Sequence, residues 1–283
     1  MLPFPHEQNK SLAPYSTMGI GGPARYFSKV STIKEMHVQI AYALEYNIPF
    51  LVLGKGSNTL FDDRGFAGLV ILNQIDYLYQ DGNLFQVGSG FSFARLGQIT
   101  AKLGYTGLEF AAGIPASVGG AVFMNAGANG QEVSATLREV VFVDREVRPI
   151  HAFGFAYRAS IFHKMYGGIA EATFELKPLE GAKEKQREIV SYRLKTQPYG
   201  SKSCGCAFRN PEGEVAGRLI EQCGLKGTKI GGAQVSSLHA NFITNEGGKA
   251  EDIRALIDHV KERVQKETGY ILEEEIRFIP YEF

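Results

Sequence analysis

The sequence predicts an α+β fold in two parts. Three observations carry that expectation. Short apolar strand candidates dominate residues 50–178. Long helical patterns occupy 180–198 and 249–268. Glycine, 33 of 283 residues, is concentrated in a few loops. A chain of 283 residues exceeds the commonest single-domain size and fits two domains. With 44% hydrophobic and 21% charged residues it has ample material for a packed core and an ordinary polar surface.

Taken in order, STIKEMHVQIAYALEYNI (31–48) reads as a helix. Thr32 and Glu35 have capping-box spacing, Ile33, Met36, Ile40 and Leu44 share a face, and Pro49 ends it. FLVL (50–53) is an apolar strand leading into GKGSN (54–58). Strands are expected at 68–72, 83–90, 140–144 and 171–178, with a helix near 93–103 on which Leu96, Ile99 and Leu103 recur at helical spacing. Beyond Pro178 the charged stretch 180–198 reads as a helical connector. There follow a strand around CAFRN, a helix at 215–223 and the strand ANFIT (240–244). The helix 249–268 carries an apolar stripe of Ile253, Leu256, Ile257, Val260 and Val264 and stops at Gly269, and YILEEEIRFIP closes the chain as a strand. The expected layout is residues 1–180, a connector 181–198, a smaller α+β domain 199–271 and a C-terminal strand 272–283.

Charge and cysteine content narrow the function classes. Thirty basic and 30 acidic residues cancel, so there is no general attraction to nucleic acid or anionic membrane. No run approaches the roughly 20 apolar residues of a membrane span, and MLPFPHEQNK lacks the features of a signal peptide. Three cysteines are too few for a disulfide scaffold and suit a reducing, cytoplasmic setting. Cys204 and Cys206 form a C-x-C pair, but only Cys223 and His239 follow, at no familiar zinc spacing. No metal is implied. Cys223 falls with Ala216, Leu219 and Ile220 on an apolar helix face and reads as core.

The glycine clusters point to a ligand. They fall at 19–25, 54–58, 88–90, 111–130 and 229–234, and such density suits backbone that turns sharply or approaches a bound group. GKGSN lacks the third glycine of the dinucleotide fingerprint, where Thr59 stands, and there is no Walker-type phosphate loop. Alone, GKGSN reads equally as a tight turn; beside the run at 111–130 the phosphate-binding reading gains. Arg158 in AYRASIFHK and Glu275 in LEEEIRF are charges in strand-like context, and pattern alone leaves both open between a solvated face and a site. Glu273 and Glu274 read as solvated.

Read together, several stretches resemble the UDP-N-acetylenolpyruvoylglucosamine reductase family, the MurB flavoenzymes of bacterial cell-wall synthesis. They are LAPYSTMGIGGPARYF (12–27), LGKGSNTLF (53–61), LEFAAGIPASVGGAVFMNAGANG (108–130), YRASIF (157–162), CGCAFRNP (204–211), GLKGTKIGGAQVSSLHANFITN (224–245) and LEEEIRF (272–278). They keep the family's order and cover nearly the whole chain. The short interval from Phe162 to Cys204 is similar to the subgroup lacking an extra tyrosine-bearing loop.

The resemblance implies a first domain of the vanillyl-alcohol-oxidase type holding FAD without a covalent bond. Backbone donors would come from Gly54, Lys55, Gly56, Ser57 and Asn58 and from Gly113, Ile114, Ser117, Gly119 and Gly120. It implies NADPH as reductant and the enolpyruvyl ether of UDP-N-acetylglucosamine as substrate, reduced to UDP-N-acetylmuramate by hydride at C3 and a proton at C2. Arg158 matches the arginine that stabilises enolate-like charge, and Glu275 matches its partner glutamate. Where the family commonly has a serine proton donor, this chain has Cys206. A thiol of reference pKa about 8.5 is mostly protonated at neutral pH and a stronger acid than an alcohol, so it suits the role. Cys204 is read as a neighbour without chemistry. Tyr157, Asn210 and Arg193 are substrate-binding expectations; Arg193 reads equally as a solvated helix charge.

Overall fold

A computed structural model describes residues 2–282. The chain forms two compact units whose segments interleave. Among the described residues, the first comprises 2–8, 26–55 and 68–193, and the second 9–25, 56–67 and 194–282. The sequence reading placed one boundary near residue 180. The interleaving arises because residues 9–25 and 56–67 find their partners in the C-terminal part of the chain, a relationship that hydrophobic periodicity does not encode.

In the first unit, helix α1 (Ile33–Glu45) starts at the Thr32–Glu35 capping box and buries Met36, Ile40 and Ala43. The strand Phe50–Leu53 pairs in parallel with residues 69–72. A five-stranded antiparallel sheet runs in the order Val147–Ile150, Leu137–Val143, Gly168–Glu175, Leu84–Gly88 and Leu78–Asp81. Against it lie α2 (Phe93–Lys102) and the short α3 (Val118–Phe123), over a core rich in phenylalanine that includes Phe85, Phe93, Phe110, Phe142 and Phe174. Leu96 is buried, whereas Leu103, expected on the same face, is half exposed because α2 has already ended. The strand Pro23–Val30 was not anticipated; its charges hide the alternation.

Helix α4 (Ala182–Thr196) covers the expected connector, but its first turns belong to the first unit rather than spanning free solvent. Lys185 Nζ lies 2.9 Å from the fully buried Glu109 carboxylate, which also accepts from Thr106 Oγ1 at 2.6 Å and the Gly107 amide at 2.7 Å. Burial pushes the Glu109 carboxyl pKa up, yet these bonds outweigh it and hold the pKa below the ordinary value.

The second unit holds α5 (Ala216–Gln222), α6 (Ala250–Thr268) and a four-stranded sheet in the order Ser203–Cys206, Phe242–Asn245, Ala233–Val235 and Lys229–Ile230. The expected α6 stripe is all buried, packed with Cys204, Leu219, Ile220 and Cys223. The Asp63 carboxylate accepts from the Ala250 and Glu251 amides, so the N-terminus of α6 is satisfied by a residue far earlier in the chain. Gly269 ends the helix at φ 78°. The expected strand 272–283 shrinks to Arg277–Ile279, which pairs in parallel with Thr59–Phe61. Residues 273–275 instead make single backbone contacts with the segment after Cys206. The strand expected around CAFRN (206–210) lies earlier, at Ser203–Cys206, and shares only Cys206 with the expectation.

Candidate active site

The first unit gathers the start of the GKGSN block with the serine-bearing glycine run. A Cβ added at Gly54 would sit 2.1 Å from Ser117 Oγ, so only glycine fits that approach. Lys55 Nζ donates to Ser92 Oγ at 2.8 Å, and Ser92 and Ser117 form a β-bridge. Desolvation lowers the Lys55 pKa, an effect the Asp76 carboxylate opposes. Ser92, unmarked in the sequence beyond its place ahead of α2, is therefore part of this constellation.

The donors implied by the resemblance divide. Among the described residues, the amides of Lys55, Gly56, Ser57, Asn58 and Ser117 donate to no backbone carbonyl. Those of Ile114, Gly119 and Gly120 are committed internally, to Ala111 O, Ser89 O and Ser117 Oγ. Gly113 is buried at the end of a short 3-10 turn. Gly56 belongs to the second unit, where it has φ +60° and a Cβ would lie 2.1 Å from Tyr15 O. Small backbone with open amides and no carboxylate among these residues fits a diphosphate, as FAD requires.

Arg158 sits at the tip of a tight turn in the first unit, closed by reciprocal bonds between Ala156 and Ala159. Its backbone is left-handed, φ +55°, a strained state for a non-glycine residue that concentrates at functional sites. The guanidinium donates from Nη2 to Gly127 O at 3.1 Å and lies 4.9 Å from the centre of the Tyr157 ring. Behind the turn is Asn125, 1% exposed and itself at φ +42°. Its Nδ2 donates to Ala156 O at 3.1 Å and Glu132 Oε2 at 2.9 Å, and its Oδ1 accepts from the Ser134 amide at 3.0 Å. Ser160 Oγ donates to Phe123 O at 2.7 Å, fixing the other side. Sequence reasoning missed Asn125; its place in MNAGA gave no sign of a buried network.

In the second unit the two cysteines separate cleanly. Cys204 is buried, with Sγ 3.3 Å from Thr59 O, and burial pushes its thiol pKa up to about 11. Cys206, across the left-handed Gly205, is half-buried. Glu275 lies beside it: the Glu275 amide donates to Ala207 O at 2.8 Å, and the Glu275 side chain is on a half-buried residue. Asn58 Nδ2 donates to Glu275 O at 3.0 Å. Asn241 Oδ1 accepts from the Phe208 amide at 2.9 Å while its Nδ2 donates to Phe208 O at 2.8 Å. Cys206 and Glu275, 69 positions apart in sequence, are thus held on adjacent hydrogen-bonded segments.

The substrate-binding expectations fall in both units. Tyr157 is exposed beside Arg158 in the first unit, and Arg193 is half-buried near the end of that unit's part of α4. Asn210 Oδ1 accepts from the Ala216 amide at 3.1 Å and so anchors the start of α5. Glu273 and Glu274 are surface groups, with Arg209 at 3.9 Å and Lys261 at 3.0 Å.

Comparison with known proteins decides the family. A model for an FAD binding domain matches residues 24–147, and one for the UDP-N-acetylenolpyruvoylglucosamine reductase C-terminal domain matches 197–279. The chain is 52% identical to the UDP-N-acetylenolpyruvoylglucosamine reductase of Protochlamydia amoebophila, over 99% of this chain and 96% of that one. The chain belongs to the UDP-N-acetylenolpyruvoylglucosamine reductase family. The reductase of Chlamydia pneumoniae is 46% identical, over 99% of this chain and 94% of the relative. The crystal structure of the family member from Thermus caldophilus superposes with a TM-score of 0.81 at 36% identity, covering 98% of this chain and 99% of that chain. As a member of this family the protein is a flavin-dependent oxidoreductase of α+β fold with FAD as cofactor. No helix among the described residues is long and apolar enough to cross a membrane.

Proposed function

We propose that the protein reduces UDP-N-acetyl-3-O-(1-carboxyvinyl)glucosamine to UDP-N-acetylmuramate, a step of peptidoglycan precursor synthesis, with NADPH as the electron source. Bound FAD would supply the hydride chemistry between NADPH and C3 of the vinyl ether. The remaining work falls to side chains of this chain. The open amides of Lys55 and Ser117 in the first unit would hold the cofactor diphosphate. Arg158, presented by its strained turn, pairs with the substrate carboxylate and stabilises the negative charge that hydride addition develops there; a guanidinium fork suits both oxygens. Cys206 donates its proton to C2, and Glu275 beside it polarises the charged intermediate. The thiolate left on Cys206 regains a proton from solvent, which closes the cycle: one hydride and one proton are added across the double bond, and NADPH becomes NADP+.

The observation that carries this reading is the full-length similarity to named reductases together with the Glu275 amide bonded to the residue after Cys206. The test is a visible spectrum of the purified protein under anaerobic conditions. Addition of NADPH is expected to bleach the flavin bands, and the enolpyruvyl UDP-sugar to restore them. Bleaching without recovery would overturn the substrate assignment. Failure of NADPH to bleach, with NADH succeeding, would overturn the reductant assignment.

A further inference from the structure

Asn58 closes the GKGSN block, and both of its polar ends face the C-terminal segment. Its side-chain Nδ2 donates to Glu275 O at 3.0 Å, and its backbone O accepts from the Arg277 amide at 3.0 Å. One residue therefore grips the chain on either side of Ile276. Regular strand pairing begins only after this point, with Thr59 opposite Arg277. Glu275 lies ahead of that strand, where ladder bonds cannot hold it. Its carbonyl is fixed by Asn58 and its amide by Ala207 O.

The bonding continues on the far side. The Ala207 amide donates to Asn241 O at 2.7 Å, and the Asn241 side chain binds both backbone groups of Phe208. A single hydrogen-bonded series thus runs from Asn58 through Glu275 and Ala207 to Asn241, with Cys206 next to Ala207.

We propose that Asn58 is a positioning residue: its side-chain amide sets the backbone of Glu275 against the Cys206 segment, so that the carboxylate is in place when the proton is delivered. The inference rests on the reading of Cys206 and Glu275 as reacting groups. Such a role carries weight because misplacing a reacting group by about 1 Å can cost roughly 10²-fold in rate.

Asn58→Asp is the sharpest variant, since it keeps the size but replaces the donor with an acceptor facing Glu275 O; Asn58→Ala removes the group altogether. Anaerobic stopped-flow separates flavin bleaching by NADPH from reoxidation by the enolpyruvyl UDP-sugar. Reoxidation at saturating sugar is expected to slow at least about tenfold more than bleaching, as a lost positioning contact would. In Asn58→Asp it should partly recover as pH falls and the introduced carboxyl regains a donor proton. Adding Asn58→Asp to Glu275→Gln should cost little more than Glu275→Gln alone, because residues acting through one another are not additive. Hydrogen exchange supplies a readout independent of turnover: amides of 273–277 should exchange faster in Asn58→Ala than in the native protein. Equal slowing of both limbs, or loss of FAD from both variants, would assign the Asn58 side chain to the cofactor and overturn the proposal. Unchanged exchange at 273–277 would overturn it as well, even if the substrate reading itself failed.

Discussion

The two places that present candidate catalytic side chains are held in opposite ways. Arg158 stands on a four-residue turn in a left-handed conformation, braced by neighbours from residues 123–134. Cys206 and Glu275 stand on short segments brought together by a backbone bond from the Glu275 amide to Ala207 O and a side-chain bond from Asn58 Nδ2 to Glu275 O, the latter joining residues 217 positions apart. The first arrangement stores strain locally and depends on two buried side chains, Asn125 and Ser160. The second stores none at either residue, where the left-handed position is taken by Gly205, and depends on register. A strained turn fails by relaxing, whereas a register-held pair fails by drifting.

That contrast sets out a graded series of measurements. Among perturbations of the strained turn, the largest effect is expected from Arg158→Ala. Losing a preorganised charge-stabilising group slows such chemistry about 10²- to 10³-fold, so reoxidation by the sugar should fall by that order while NADPH still bleaches the flavin. Arg158→Lys should recover little, because an ammonium lacks the planar fork. Rapid-mixing spectroscopy of the two limbs checks both.

Next comes the brace. Asn125→Ala leaves the Ser134 amide and Ala156 carbonyl without their buried partner and puts a non-glycine, non-asparagine residue at φ +42°. The expected loss is about 2–3 kcal/mol of stability, read by urea unfolding. Asn125→Gly should lose less, since it adopts the backbone without strain.

A smaller effect is expected at Glu109, which ties α4 to its unit. Its folded pKa lies below the unfolded value, so its contribution is present above the unfolded pKa and lost as pH falls through the folded one. The gap in Tm between the native protein and Glu109→Gln should therefore be widest at neutral pH and close below about pH 4, the ordinary glutamate value.

The smallest perturbation is a chemical one. Brief alkylation at pH 7 should label Cys206 and spare Cys204 and Cys223, both buried and both with raised thiol pKa values. Peptide mass mapping reads this directly; labelling of Cys204 in the folded protein would break the distinction between the two cysteines.

The same contrast explains what the sequence made legible. The helices α1, α2, α4, α5 and α6, the Thr32 capping box, the α6 stripe and the Gly269 stop depend on neighbours three or four residues away and were readable, whereas the short α3 inside the glycine run was not. So was the core character of Cys223. The interleaved units were not, because the pairing of Thr59–Phe61 with Arg277–Ile279 joins strands of three residues with no pattern of their own. Arg158, Cys206 and Glu275 were recognisable only through family blocks; composition and spacing left the arginine and the glutamate open. Asn58, Asn125 and Asn241 carry the contacts that hold these residues, yet an asparagine in a loop looks the same whether it turns the chain locally or clamps a distant backbone. The open amides were also invisible: GKGSN and the run at 113–120 looked equivalent, but Ile114, Gly119 and Gly120 spend their N–H groups inside the fold.

The most direct test of the account is single-turnover reoxidation of the NADPH-reduced protein by the enolpyruvyl UDP-sugar, compared among native protein, Cys206→Ala and Cys206→Ser. Removal of a general acid typically costs about 10²- to 10⁴-fold, so Cys206→Ala should bleach with NADPH and then recover its flavin absorbance slower by that order. Cys206→Ser should restore much of the rate. If Cys206→Ala instead reoxidises as fast as the native protein, the proton comes from elsewhere and the pairing of Cys206 with Glu275 has no part in the chemistry.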